Sequence, residues 1–316
     1  MQNIMNNKKL LNLLTRMLSR TTPHGYERRL ERYLPEGGIW DEADNYIIKI
    51  GTTSETLFCA HLDTVGSRRV KTKPHIEHDV IYTTRKSSCL GGDDKCGVLC
   101  LIAMIKAGIP GTYMFHAGEE CGGIGASHIC LTTDLSYFKR AIEFDRRGKT
   151  SVITHMGWKQ TCSDIFADTI ADKLGMGFKP DHTGSFTDVL NYADIIPEVT
   201  NISVGYENAH TSHEFIDAKW LIEKLIPKLC SIDWESLPTE RDPKPFYQIS
   251  RLDDLDLWYA DANEHFNGLD IFSHRLEECE FCGHPFYPHV LNEIDFAGMI
   301  CRVCNNCLNH INHIYQ

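Results

Sequence analysis

No run of apolar residues in this 316-residue chain is long enough to cross a bilayer: the longest, residues 98–109, is too short and carries Lys106. Positive charge is also scarce. Thirty-two lysines and arginines stand against 43 aspartates and glutamates, a formal net charge of −11, which argues against a nucleic-acid binder. Residues 1–9 are polar and lack the apolar centre of a secretory signal, so a cytoplasmic location without a membrane partner is expected. There is no internal repeat or low-complexity tract, which excludes a repeat architecture. Cysteine is not scarce, but its number, 13, is odd and part of it sits in CxxC pairs. That usage suits reduced thiols and metal rather than a disulfide framework.

What is present is a series of acidic and histidine-bearing patches in one order. They are His61-Leu62-Asp63, Gly92-Asp93-Asp94-Lys95-Cys96-Gly97, Glu119-Glu120, Asp145, and His210 within Asn208-Ala209-His210-Thr211. Apolar runs at 57–60, 112–115, 141–144 and 199–204 read as the strands that deliver them. A sheet whose strands end in such residues on one edge gathers them around one crevice. A pair of divalent ions about 3.5–4 Å apart needs a bridging carboxylate, plus a carboxylate and an imidazole for each ion. Asp93 can bridge, His61 and Asp145 can hold one ion, and Glu120 and His210 the other. Glu119 is then free to act as a general base, provided burial offsets the lowering of its pKa by nearby cations. Asp63 fits the carboxylate that orients a ligating imidazole. Asp94 reads as a helix cap rather than the bridge, and His213 is the alternative to His210.

The order HxD, GxDDKxG, EE, D, AHT resembles that of the co-catalytic zinc exopeptidases, which include peptidase T, glutamate carboxypeptidases and bacterial aminopeptidases. The match spans residues from about 20 to about 230, and Thr22-Pro23-His24-Gly25-Tyr26-Glu27 is similar to the lead-in to the first catalytic-domain helix in that group. The resemblance implies the same ligand roles for His61, Asp93, Glu120, Asp145 and His210, with Glu119 as base. It implies two divalent ions, zinc by ligand type, and attack of activated water on a peptide or amide carbonyl. Carboxypeptidase-like members carry a lid domain between the last acidic ligand and the final histidine. Here 64 residues separate Asp145 from His210, and they must also supply two strands and two helices. Domains rarely fall below about 50 residues, so a lid-less, aminopeptidase-like chain is expected. His182 and Tyr206 are then the candidates for stabilising an oxyanion.

Helices expected at 10–18, 94–107, 163–174, 187–193 and 218–229 alternate with the strands. This predicts an α/β fold, a mostly parallel sheet flanked by helices on both faces, over residues 1–232. Residues 233–272 read as a linker and packing segment, and 273–316 as a zinc finger. Cys279 and Cys282, paired with Cys301 and Cys304 across eighteen residues, suit a four-cysteine structural zinc site; pairing with Cys304 and Cys307 is the other register. The pattern resembles the small treble-clef finger of the ClpX type. So small a piece would fold on its metal, and it is expected to recruit a protein partner. The activity expected is that of an aminopeptidase on short peptides. The alternatives are a deacylase of small N-acyl amino acids and a catalytically idle binding protein.

Overall fold

The structure, a computed structural model, describes residues 5–66, 72–83, 89–243, 277–278, 285–286, 291–296 and 299–304. The chain divides into two compact units, Met1–Phe246 and Tyr247–Gln316.

In the first unit the strands are β1 (Ile39–Trp40), β2 (Tyr46–Ile50), β3 (Thr56–His61), β4 (Pro74–Glu77), β5 (Val80–Thr83), β6 (Gly111–His116) and β7 (Arg140–Arg146). They continue with β8 (Ser151–Ile153), β9 (His155–Met156), β10 (Lys159–Gln160), β11 (Lys179–Asp181), β12 (Glu198–Ser203), β13 (Tyr206–Glu207) and β14 (Phe215–Asp217). Eight of them form one sheet in the order β1-β2-β6-β3-β7-β12-β8-β11. β6, β3, β7 and β12 run parallel at its centre, while β2 joins β6, and β8 joins β12, antiparallel. The sheet is therefore mixed but mostly parallel. A second, antiparallel sheet has the order β13-β14-β5-β4.

The central strands can be parallel because both of their faces are covered. Every residue of β3 and of β6 is buried, as expected for strands packed between helical layers. Alternate residues feed the two faces. Phe58, Ala60, Phe115, Ile142 and Phe144 pack with α1 (Asn7–Leu18), α2 (Gly92–Ala107) and α4 (Asp164–Leu174). Leu57, Cys59, Met114, Ala141 and Val199 pack with α3 (Ile124–Thr132) and the 3-10 turn Asp188–Tyr192. Side-chain caps start two of these helices: Asn6 accepts from the Lys9 backbone N–H, and Ser163 from that of Phe166. Gly108, left-handed at φ 75°, closes α2.

Three expectations differ from the structure. The helix expected at 187–193 is only the single 3-10 turn. The helix expected at 218–229 is not one regular α-helix: a π-turn at Leu221–Leu225 precedes Pro227, which has no N–H to bond the preceding turn. Residues 233–243, read as the start of a linker, strap onto the unit instead. Trp234 is buried against Phe58 and Phe144, and its indole N–H donates to the Leu229 carbonyl. The Arg241 guanidinium meets the carbonyls of Ala193, Ile196 and Pro197. Residues 146–209 add strands and α4 to this same unit, and among the described residues no separate lid body is inserted there.

In the second unit β15 (Glu277–Glu278) pairs with β16 (Pro285–Phe286), and β17 (Leu291–Phe296) with β18 (Met299–Cys304), both antiparallel. β18 carries the backbone of Cys301 and Cys304 opposite Ile294 and Leu291 of β17. Cys279, Cys282 and Cys307 lie outside the described residues, so the four-cysteine site does too.

Candidate metal centre

Each parallel strand of the central sheet delivers its residue at the same edge. His61 ends β3, Asp145 lies at the end of β7, and the turn Glu119–Cys121 follows β6. His210 lies beyond β12, in the loop from β13 to β14, with a left-handed φ of 64°. Asp93 stands at the mouth of α2, where Asp93 and Asp94 are non-helical and joined by a cis peptide.

Their side chains converge. His61 Nε2 lies 3.0 Å from Asp93 Oδ1 and 3.5 Å from Asp145 Oδ1. His210 Nε2 lies 3.1 Å from Asp93 Oδ2 and 2.9 Å from Glu120 Oε1. Asp93 thus faces one imidazole with each of its oxygens, the arrangement a bridging carboxylate requires. Glu120 Oε1 is buried and, despite its nearness to His210, makes no aligned hydrogen bond. Ligand atoms fall within 4.8 Å of one another in two overlapping groups, His61/Asp93/Glu120 and His61/Asp94/Asp145. Imidazole nitrogens and carboxylate oxygens meeting in this way suit zinc, manganese or cobalt.

The surrounding shell holds these groups in place. Asp63 accepts the backbone N–H groups of Glu119 and Glu120, both at 3.1 Å, and also faces His61 Nδ1. Its carboxylate holds the Glu119–Glu120 turn, and its backbone carbonyl lies 3.1 Å from His61 Nδ1. Asp94 accepts from the Gly97 N–H at 2.9 Å and the His61 N–H at 3.2 Å, the cap-like role expected of it. Thr187 Oγ1 lies 3.1 Å from Asp145 Oδ2, and the Tyr206 hydroxyl lies 2.8 Å from the Asp145 carbonyl. Tyr206 is thereby committed to Asp145, while His182 is exposed and outside the cavity lining. His213 lines the cavity, but the contacts with Asp93 and Glu120 belong to His210.

Two residues were given no role from the sequence, Lys95 entering only as a letter of the GxDDKxG pattern. The Glu214 carboxylate accepts from four successive backbone N–H groups, those of Leu90, Gly91, Gly92 and Asp93, at 2.7–3.1 Å. It clamps the loop that presents Asp93. Lys95 is buried with an Nζ that has no hydrogen-bond partner, and burial pulls its pKa down to about 8. Neither carries a local signal: each reads as surface charge until the fold buries it.

Electrostatics follow from packing acids together. Burial pushes the Glu119 carboxyl up to about 10, with Asp145, Asp188 and Glu143 adding to it against His61. Burial and Asp93 raise Asp145 to about 7. The Asp93 and Glu120 carboxylates beside its ring lift His210 to about 10. Burial works against a charged His61, but Asp145, Asp63 and Asp93 outweigh it and hold its pKa well above the usual value. Burial opposes ionised Asp93 too, yet His210 and His61 keep its carboxyl below the ordinary range. Such a set of displaced pKa values in a cleft makes it a candidate functional site. The cleft is a cavity of about 850 Å³, lined by Asp93, Glu119, Asp145 and His210 and walled by Arg146, Arg147, Ile153, Met156 and Phe186.

Solved structures share this fold. The aminopeptidase PepT of Bacillus cereus superposes with a TM-score of 0.60 over 72% of this chain and 98% of its own, at 16% identity. A tripeptidase of Staphylococcus aureus gives 0.57 over 72% and 99%, also at 16% identity. The TET1 peptidase of Pyrococcus horikoshii gives 0.51 over 70% and 99%, at 18% identity. At such identities the likeness establishes a common fold. No protein-family model matches the sequence, and no curated protein does.

Proposed function

We propose that the first unit is a metal-dependent peptide hydrolase of the aminopeptidase kind, acting on short peptides. One observation carries this reading: two imidazoles and three carboxylates converge at one sheet edge, with the Glu119 carboxyl beside them. A protein that merely binds metal needs no such base. The fold shared with an aminopeptidase and a tripeptidase supports it.

In this reading His61 and Asp145 would hold one divalent ion and Glu120 and His210 the other, with Asp93 shared between them. Bound there, the two ions would acidify water and polarise the scissile carbonyl. Glu119 takes the proton from the attacking water and passes it to the leaving amine. Its burial opposes the lowering effect of nearby cations, which keeps it basic enough for that task. Asp63 fixes the base and the His61 ring together. Ile153, Met156 and Phe186 offer an apolar wall for a side chain, and Arg146 and Arg147 offer charge to the carboxylate of a short peptide. For the second unit we retain as a proposal one structural zinc on Cys279, Cys282, Cys301 and Cys304 and a protein partner docked there.

The test is metal content per chain together with hydrolysis of matched free and N-acylated peptides. Glu119→Gln should cut kcat by about 10²- to 10⁴-fold while leaving metal content unchanged. Undiminished turnover in that variant would remove Glu119 as base. Cleavage of N-acyl substrates alone would move the assignment to a deacylase, and no cleavage by the metal-loaded chain would sink the hydrolase reading.

A further inference from the structure

Behind Asp145 lies a second gathering of ligand-type side chains that the hydrolase reading does not use. His116 is the last residue of β6, Glu143 sits two residues before Asp145 on the same face of β7, and Asp188 opens the 3-10 turn Asp188–Tyr192. All three are fully buried. One ligand atom from each falls within 4.8 Å of the others.

Their hydrogen bonding is one-sided. His116 Nε2 lies 2.6 Å from the Tyr192 hydroxyl, and Glu143 Oε2 accepts from Thr187 Oγ1 at 2.6 Å and from the Val189 N–H at 3.3 Å. The atoms that face inward have no hydrogen-bond partner: His116 Nδ1, Glu143 Oε1 and both oxygens of Asp188. His116 Nδ1 stands 3.3 Å from Asp188 Oδ2 without a hydrogen bond's alignment. Among the described residues no lysine or arginine pairs with Glu143 or Asp188. Two carboxylates buried in this way need a compensating positive charge, and inward-facing lone pairs need a hydrogen-bond donor or a cation. The Tyr192 contact can fix the imidazole tautomer so that Nδ1 carries its lone pair, as a hydrogen bond at the far nitrogen does for a ligating histidine.

We propose that His116 Nδ1, Glu143 Oε1 and Asp188 hold one divalent transition-metal ion in a buried site of their own, apart from the pair at the sheet edge. One imidazole and two carboxylates suit zinc, manganese or iron(II), and two negative charges balance a divalent cation. No substrate reaches it, so its work is structural. It ties the ends of β6 and β7 to the 3-10 turn. Through Thr187, whose hydroxyl touches both Glu143 Oε2 and Asp145 Oδ2, it steadies the carboxylate at the candidate centre. The inference does not depend on the hydrolase reading.

Metal content is measured on the full chain, purified from zinc- and manganese-supplemented growth, for the unaltered protein, Asp188→Asn and Asp93→Asn. Asp188→Asn should hold one ion per chain fewer than the unaltered protein, and Asp93→Asn should lose ions while keeping that one. Equal metal content in Asp188→Asn and the unaltered chain overturns the proposal. Should Asp188→Asn not fold, anomalous diffraction from crystals of the unaltered protein decides. A peak among His116, Glu143 and Asp188 that appears only above the metal's absorption edge confirms the site. Its absence means that the carboxylates share a proton instead.

Discussion

Glu214 shows how a single side chain can govern a site it does not enter. Its carboxylate takes four backbone N–H groups from 90–93, and hydrogen bonds to a charged group contribute about 1.5–3 kcal/mol each. Glu214→Ala leaves four buried donors competing for water. A loss of about 3 kcal/mol or more in unfolding free energy is expected, with metal affinity weakened by about tenfold or more because Asp93 is no longer presented. Denaturant unfolding and metal titration check the two effects separately. A second prediction at this scale concerns protons. His210, lifted to about 10, and His61, held well above 6.5, both carry a proton at neutral pH in the metal-free protein. Each must lose it to ligate. Metal binding should therefore release about two protons near pH 8, and apparent affinity should fall about a hundredfold per pH unit as pH drops. Asp145, raised to about 7, steepens the loss below that value. Calorimetry in buffers of different ionisation enthalpy counts the protons, and a pH-independent affinity would contradict the site's charge balance.

The motif GxDDKxG carries two demands: ligands at its start and a close approach at its end. α2 crosses β7 at Gly97, where an added Cβ would lie 1.9 Å from the Phe144 carbonyl oxygen and 2.5 Å from Asp94 Oδ2. The first of these is backbone and cannot rotate away. Gly97→Ala should push α2 off the sheet, costing at least the ~1–3 kcal/mol typical of overpacking and displacing Asp93 and Asp94 with it. A lowered melting temperature together with reduced metal content is the expected result; an unchanged melting temperature would mean that α2 does not sit against β7 in this way. Much of this was legible locally. The apolar runs at 57–60, 112–115, 141–144 and 199–204 all became strands, and helices formed close to the expected 94–107 and 163–174. The strap at 233–243 was not legible, because Pro and charge read as linker and only the Phe58 and Phe144 rings show where Trp234 goes.

Across the whole first unit, Asp63, Asp93, Glu119, Glu120 and Asp145 bring five carboxyl groups to one place in a chain already at −11. Without cations these groups repel, the Glu119 and Asp145 carboxyls are pushed up, and Glu120 Oε1 is left without a hydrogen-bond partner. Ions that bind only the folded state stabilise it by about 2.7 kcal/mol when free metal stands a hundredfold above Kd. For a body of this size that corresponds to roughly 5–10 °C in Tm. Chelation should lower the melting temperature by about this much, and re-addition of zinc or manganese should restore it. An unchanged Tm after metal removal would mean that the cluster is stable without cations. Residue type and order were enough to expect that His61, Asp93, Glu119, Glu120, Asp145 and His210 would meet, because parallel strands dictate where their ends gather, and the fold does bring them together. Packing alone placed Glu214 beneath the Asp93 loop, committed Tyr206 to Asp145 and buried His116 with Glu143 and Asp188. Those contacts join residues far apart in the chain, and desolvation, which turns a surface acid into a clamp or a ligand, has no local signature.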